Sequence, residues 1–185
     1  MAAIPPVCDF GWKPVDATLP GVDGTSRTVL GEAGPNGLVV AFICNHCPYV
    51  LAVIDRIARD ARDLRELGIG FVAICSNDAV AYPADSFDNM KRFAAEHDLP
   101  FAYLHDGTQA VARQWDAACT PDFFGFNSSM ELQYRGRLDA SRKEAAPAGI
   151  RRDLYEAMKQ VVETGQGPRD QVASMGCSIK WKDAA

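Results

Sequence analysis

Two cysteines separated by two residues, Cys44 and Cys47, are the residues most suited to chemistry, and His46 lies between them. Cysteines at this spacing can close a small disulfide ring. A thiolate at the start of a helix is stabilised by the unpaired N–H groups of the first turn, which lowers its pKa below the free value of ~8.5. A neighbouring imidazole lowers that pKa further. The pattern predicts a redox pair in which Cys44 is the exposed attacking thiolate and Cys47 resolves the mixed disulfide.

The pair lies between a predicted strand and a predicted helix. Residues 38–43 are apolar on both faces, as in a central strand covered by helices. From Pro48 to Gly68, apolar residues recur every three or four positions, which predicts one long amphipathic helix. Residues 69–75 form a second buried strand. Together these segments predict a strand–helix–strand unit with the cysteines at the strand end.

The remaining segments predict the rest of an α/β domain. Helices are expected at 86–96, 109–115 and 150–163, a short strand at 102–104, a hairpin of strands 123–126 and 132–135, and an N-terminal hairpin around 21–24. This order predicts a mixed central sheet flanked by helices, with an N-terminal extension and an irregular C-terminal tail after Gly165. A chain of 185 residues suits one domain, residues 1–185, with its core at about 38–163.

Composition excludes several classes of partner. The net charge is -5 and there is no long basic run, which argues against nucleic acid. The longest apolar run, residues 38–44, falls far short of the ~20 residues that cross a bilayer. The N-terminus has neither the basic start nor the apolar core of a secretion signal, so we expect a cytoplasmic protein. Structural disulfides are therefore a poor explanation for its six cysteines.

Other interpretations of the pair remain open at this point. The cysteines could be inert core residues, or Cys44, His46 and Cys47 could bind copper or zinc. Structural zinc needs four ligands, and a second pair at this spacing is lacking. We therefore expect no metal and no cofactor beyond a Cys44–Cys47 disulfide. A thiol-dependent peroxidase and a non-catalytic copper-binding or redox-sensing protein are the alternatives to a thiol–disulfide oxidoreductase.

A second candidate feature is the segment Cys119-Thr120-Pro121, directly before a predicted strand. A cis Thr120–Pro121 bond would leave the Thr120 backbone free to pair with an extended substrate, although most such bonds are trans. Cys119 is either a second resolving thiol or a buried packing residue. Cys177 lies in the tail, which either folds over the site or forms plain surface.

These motifs resemble the thioredoxin-fold superfamily, which has a cysteine pair at a helix start and a Thr-Pro before a late strand. The resemblance implies a cis proline opposite the pair, Cys44 as nucleophile, Cys47 as resolving thiol, and Thr120 and Pro121 as the substrate platform. A wider set of segments is similar to peroxiredoxin-like members of the redoxin branch: 16–24, 42–50, 82–83, 119–124, 134–137 and 176–181. The implied partners are protein or small-molecule disulfides and thiols, peroxide as a further substrate, and a cellular thiol reductant.

Departures from the family patterns refine this expectation. True peroxiredoxins align their cysteine with Cys47 and have threonine and proline where this chain has Cys44 and Val40, which argues against peroxide activation. Thioredoxins bury an aspartate where this chain has Leu38, and the nearest sequence substitutes are Asp78 and Asp122. The histidine position is similar to that of disulfide oxidases, so we expect a redox potential above that of a reducing thioredoxin.

Overall fold

The computed structural model describes residues 2–183; of the predicted domain 1–185, Met1 and residues 184–185 lie outside the described residues. The strands are β1 (Ala2–Ala3), β2 (Thr18–Pro20), β3 (Ser26–Thr28), β4 (Gly37–Phe42), β5 (Ile69–Cys75), β6 (Ala102–His105), β7 (Cys119–Thr120), β8 (Asp122–Asn127), β9 (Leu132–Gly136) and β10 (Gly176–Ser178). The helices are α1 (Pro48–Leu51), α2 (Ile54–Glu66), α3 (Phe87–Glu96), α4 (Ala110–Gln114) and α5 (Asp153–Thr164). Short 3-10 turns cover Leu30–Glu32 and Pro83–Asp85.

The predicted mixed sheet forms the centre of the molecule. Strand β8 pairs antiparallel with both β4 and β9, and β5 pairs in parallel with β6. Strand β5 lies beside β4, where the Ile43 N–H donates to the Ile74 carbonyl at 2.9 Å. The strands therefore lie in the order β6, β5, β4, β8, β9, and the end of β4 falls in the middle of the sheet.

Strand β4 is buried along its whole length because both of its faces are covered. Val39 and Ala41 belong to the core that includes α2 and α5. Val40 and Phe42 point to the opposite core, which contains Trp115 after α4. Side chains alternate between the two faces of a strand, so a continuous apolar run fills two cores at once.

Several elements agree with the sequence prediction. Strand β5 has the predicted bounds, and β2 and β3 form the predicted N-terminal hairpin. Of the two residues that the sequence offers as a cap for this helix, Asp85 and Ser86, it is Ser86 that caps α3: its hydroxyl accepts the Asn89 N–H at 3.4 Å. A serine in this position satisfies one of the donors that a helix start leaves free. Each of these elements is predicted by the residue types within its own short segment.

The prediction of one long helix from Pro48 is wrong. The structure has a single turn, α1, followed by a break and then α2. At the break, Val53 leaves the helical region with φ -123° and ψ -5°, and its N–H bonds to the Val50 carbonyl three residues back. The side chain of Val53 is buried in the core. A cysteine pair before α1 consequently faces one helical turn, not a long helix.

The sequence predicts an irregular C-terminal tail, but part of the tail forms strand β10. Strand β10 lies between β1 and β7 in a small antiparallel sheet, with Cys177 opposite Ala2 on one side and opposite Thr120 on the other. This sheet returns the tail to the end of the cysteine loop, where β10 contacts α1. Among residues 2–183, the helices are all too short or too polar to span a membrane.

Candidate active site

The cysteine loop connects the end of β4 to α1. Cys44 follows β4 by two residues, and Cys47 is the N-cap residue of α1, with extended φ and ψ angles. The Cys47 carbonyl accepts the N–H groups of Val50 and Leu51, both at 2.9 Å, but the Cys47 side chain makes no capping hydrogen bond. The first-turn N–H groups on which the sequence prediction relied therefore belong to a single helical turn and not to a long helix.

Thr120 brings the two cysteines together. The Thr120–Pro121 peptide bond is cis, as the resemblance implied. The Thr120 hydroxyl lies 3.3 Å from Cys44 Sγ, and the Thr120 carbonyl oxygen lies 3.1 Å from Cys47 Sγ. One residue, just before β8, the strand that pairs with β4, thus contacts both sulfurs.

Both cysteines are sealed from solvent, which corrects the expectation of an exposed Cys44. The exposed fraction is 1% for Cys44 and 0% for Cys47. A cavity of about 210 Å³ adjoins Pro121 and is lined in part by Tyr49, Val53 and Arg137. Its described lining residues include neither cysteine, so it gives no direct path to the sulfurs.

The two thiols differ in acidity, in the opposite order to the sequence prediction. The pKa of Cys47 is lowered to about 4, chiefly by the hydrogen bond with Cys44; contacts with Cys177 and Thr120 act in the same direction, and burial opposes them. The bond with Cys47, burial and the charge of Asp85 raise the pKa of Cys44. One contact opposes this order of pKa values. The Cys47 thiol donates a hydrogen bond to the Thr120 carbonyl, and it can do so only while it is protonated. We place the thiolate on Cys47.

Asp85 is a functional candidate that the sequence analysis missed. It is fully buried at the end of the second 3-10 turn. One carboxylate oxygen accepts the Asn45 N–H at 2.8 Å, and the other accepts the Asn77 amide at 2.7 Å. These bonds hold a charged group beside the cysteine loop, within 4.8 Å of ligand atoms of Cys44 and His46. Asn45 and Asp85 are 40 positions apart in the chain, so no local spacing signals their contact.

His46 lies at the solvent side of the loop. Its ring is 32% exposed and stacks on Tyr82 with an interplanar angle of 2° and a centroid distance of 5.9 Å. His46 Nδ1 is 2.8 Å from Asp85 Oδ2, yet the ring N–H is not aimed at that oxygen. The pair is a close electrostatic contact and not a well-formed hydrogen bond.

The possible metal ligands differ from those considered in the sequence. Cys44 and His46 are joined by Asp85 in place of Cys47, with their ligand atoms within 4.8 Å of one another. Each oxygen of Asp85 already accepts a hydrogen bond from an amide donor. This environment satisfies the carboxylate without a cation.

We expect Asp85→Asn to lower the pKa of Cys44, because the negative charge of Asp85 disfavours a second anion beside it. The measurement is the ultraviolet thiolate absorbance against pH, in a Cys47→Ser background that leaves Cys44 as the titrating member of the pair. Asp88→Asn is the matched control, since Asp88 is 86% exposed on α3. An unchanged titration in Asp85→Asn would contradict the electrostatic role of this carboxylate.

The two aspartates suggested by the sequence serve other purposes. Asp122 is buried in an ion pair with Arg135 at 3.1 Å and accepts the Ala118 N–H. Burial raises its pKa. Asp78 accepts the Val80 N–H, and its own N–H donates to the Lys180 carbonyl. Asp85, and neither of these, is the carboxylate at the cysteine loop.

The expectation that the Thr120 backbone is free for a substrate is also wrong. In the structure, β10 of the same chain occupies that edge, with Cys177 opposite Thr120. Beyond β10 the tail is held by Asn77, whose side-chain amide oxygen accepts the Lys180 N–H at 2.9 Å. The Lys180 carbonyl accepts the Gln109 amide at 2.8 Å. The tail therefore folds over the site and is anchored there.

The two additional thiols have different surroundings. Cys119 is fully buried in β7, where its thiol donates to the Pro121 carbonyl at 3.4 Å and burial raises its pKa. These contacts support a packing role. Cys177 is half-buried in β10, and burial together with its contact to Cys47 raises its pKa to about 11.

Comparison with known proteins places this geometry in a family. A model of the redoxin family matches residues 12–151. The chain is 41% identical to an uncharacterized conserved protein from Geobacillus kaustophilus, with a TM-score of 0.93, covering 100% of this chain and 98% of the other. A hypothetical protein from Sinorhizobium meliloti 1021 is 33% identical, with a TM-score of 0.90, covering 98% and 99% of the two chains.

More distant structures share the fold. A secreted Mycobacterium tuberculosis disulfide oxidoreductase homologous to E. coli DsbE is 15% identical, with a TM-score of 0.57, and the match covers 80% of this chain and 94% of that one. No curated protein matches the chain. The thioredoxin-like fold expected from the sequence resemblance is confirmed.

Proposed function

The chain belongs to the redoxin family of thioredoxin-fold oxidoreductases, and from this we propose that it is a thiol–disulfide oxidoreductase whose redox centre is the Cys44–Cys47 pair. The observation that carries the proposal is the contact of both sulfurs with one residue, Thr120, at 3.3 Å and 3.1 Å. The reaction needs no cofactor beyond the disulfide that the pair forms. The proposed partners are a protein or small-molecule disulfide and a cellular thiol reductant.

The acidity order assigns a role to each sulfur. In the reduced protein the Cys47 thiolate attacks one sulfur of a substrate disulfide, and the first substrate thiolate leaves. Cys44 then loses its proton and attacks Cys47 Sγ, which forms the Cys44–Cys47 bond and releases the second substrate thiol. Two electrons pass to the substrate. His46, with Asp85 beside it, is the group next to Cys44 that can receive the proton.

A redox titration tests this proposal. The protein is equilibrated with mixtures of reduced and oxidised glutathione, alkylated, and mapped by mass spectrometry. We expect one disulfide between Cys44 and Cys47, with a potential above the value of about -270 mV for thioredoxin, since a stable thiolate favours the reduced form. If both cysteines remain fully alkylated under oxidising conditions, the proposal fails.

A second candidate is a thiol peroxidase, and the low pKa of Cys47 favours it. Cys47 is the cysteine that aligns with the reactive cysteine of peroxiredoxins. Peroxide would oxidise its thiolate to a sulfenic acid, which a neighbouring thiol would convert to a disulfide with loss of water. Peroxide consumption, measured beside reduction of a small disulfide with the same thiol reductant, distinguishes the two activities.

A further inference from the structure

We propose that Cys177 is a third redox cysteine, which exchanges a disulfide with Cys47 and connects the buried pair to solvent. This inference rests on the proposed function and adds the route by which electrons reach the pair. It gives a chemical role to the strand that covers the site.

The sheet register brings Cys177 to the pair. Cys177 is directly opposite Thr120 in the antiparallel pairing of β10 with β7. Thr120 is the residue that contacts both Cys44 Sγ and Cys47 Sγ. Cys177 also packs against the core cluster that includes Cys44 and Cys47. Three thiols therefore meet around one residue.

Backbone packing fixes this arrangement. Strand β10 is held on both sides, since Ala2 pairs with Cys177 from β1 and Thr120 pairs with it from β7. A Cβ atom at position 176 would collide with the Thr120 carbonyl oxygen, so only glycine permits this approach. Gly176 thus allows the next residue, Cys177, to sit against the cysteine loop.

Exposure separates the three thiols. Cys44 and Cys47 are 1% and 0% exposed, whereas Cys177 is half-buried. The side chain and N–H of Cys177 face the Cys47 sulfur and lower its pKa, while burial and Cys47 raise the pKa of Cys177. In the reduced protein Cys177 is a thiol beside the Cys47 thiolate, and it is the one of the three that a reagent in solvent can reach.

The exchange balances without any added oxidant. In the oxidised protein, Cys177 gives up its proton and attacks Cys47 Sγ; the Cys47–Cys177 bond forms as the Cys44–Cys47 bond breaks. The electron pair leaves on Cys44, which takes up a proton. A dithiol from solvent then attacks Cys177, and Cys47 leaves as a thiolate. The second thiol of the same reagent closes its own disulfide and frees Cys177 as a thiol, so two electrons enter the protein.

The first arm of the test measures how fast dithiothreitol reduces the oxidised protein. We expect Cys177→Ser to slow this reduction about tenfold or more, because the reagent must then reach sulfurs with almost no exposed surface. Cys119→Ser is the matched control, since Cys119 lies next to Thr120 on β7 but is fully buried. We expect its rate to stay within about twofold of the parent protein.

The second arm traps the proposed bond. Cys44→Ser is oxidised with excess oxidised glutathione and mapped by mass spectrometry, and we expect a Cys47–Cys177 disulfide. Absence of either the rate loss or the trapped disulfide overturns the role of Cys177. Failure of the proposed function is a separate result: it is seen if the parent protein forms no Cys44–Cys47 disulfide in the redox titration.

Discussion

Replacing Cys47 with serine is expected to reduce turnover of a small disulfide, such as hydroxyethyl disulfide, by about 10³-fold or more. Serine does not ionise at neutral pH, so the variant loses the thiolate that attacks the substrate. The pKa of Cys47 is lowered to about 4, so the parent protein should keep its activity as the pH falls from 8 toward 5 and lose it as the pH approaches about 4. Steady-state rates measured across this pH range provide the check.

Cys44→Ser has a different expected result. In a Cys177→Ser background, which also removes the thiol proposed to exchange with Cys47, this variant retains the attacking thiolate but no resolving thiol, so a mixed disulfide should accumulate on Cys47 and be visible in the intact mass. Cys8→Ser is the control, because Cys8 lies in the opposite core from the cysteine pair and has no role in the exchange. A mixed disulfide found on Cys44 in Cys47→Ser, with most of the activity retained, would reverse the roles of the two sulfurs.

Arg135→Met is expected to lower the free energy of unfolding by about 3–5 kcal/mol at neutral pH, because removing one partner of a buried ion pair leaves an uncompensated charge. The Arg135 side chain is 6% exposed and that of its partner Asp122 is 0% exposed. The arginine also donates to the Asp116 carbonyl at 2.6 Å and packs over the Phe124 ring. Urea unfolding of the parent and the variant measures the difference.

The pH dependence of this loss separates charge from packing. Burial raises the pKa of Asp122, and removal of Arg135 takes away a charge that lowers it. In the variant the buried Asp122 carboxylate destabilises the folded state while it is charged, which is at pH values above its raised pKa. The loss of stability should therefore shrink as the pH falls below that pKa and Asp122 becomes protonated. Arg62→Met is the control, since the Arg62–Asp98 pair is exposed and should change stability by less than about 1 kcal/mol. A loss that does not vary with pH would assign the effect to packing.

Sequence alone predicted the elements whose signals are local. Strand β5 is an apolar run that starts directly after Gly68, and its bounds match the prediction. The cap at Ser86 is likewise a property of a few neighbouring residues. The long helix failed because the apolar spacing continues through Val53, although the backbone there breaks the helix. Periodicity reports which side chains are buried, and it does not report a local change of backbone angle.

The site was predicted less completely than the fold. The spacing of Cys44 and Cys47 is visible in the sequence, but their acidity depends on groups brought in from distant parts of the chain. Asp85 raises the pKa of one thiol, and Cys177 lowers the pKa of the other. Neither contact leaves a local pattern, because each depends on how a turn or a tail packs against the loop. The sequence left open whether the tail folds over the site, and it did not predict that β10 pairs along the edge of Thr120.

Asn77 joins the tail to the buried carboxylate through a single side chain. Its oxygen accepts the Lys180 N–H, and its nitrogen donates to Asp85. Lifting the tail would leave a buried amide oxygen without its donor, at a cost of about 1–3 kcal/mol. The same amide would then be free to rotate away from Asp85. The position of the tail at Lys180 and the orientation of the carboxylate beside Cys44 therefore both depend on the Asn77 side chain.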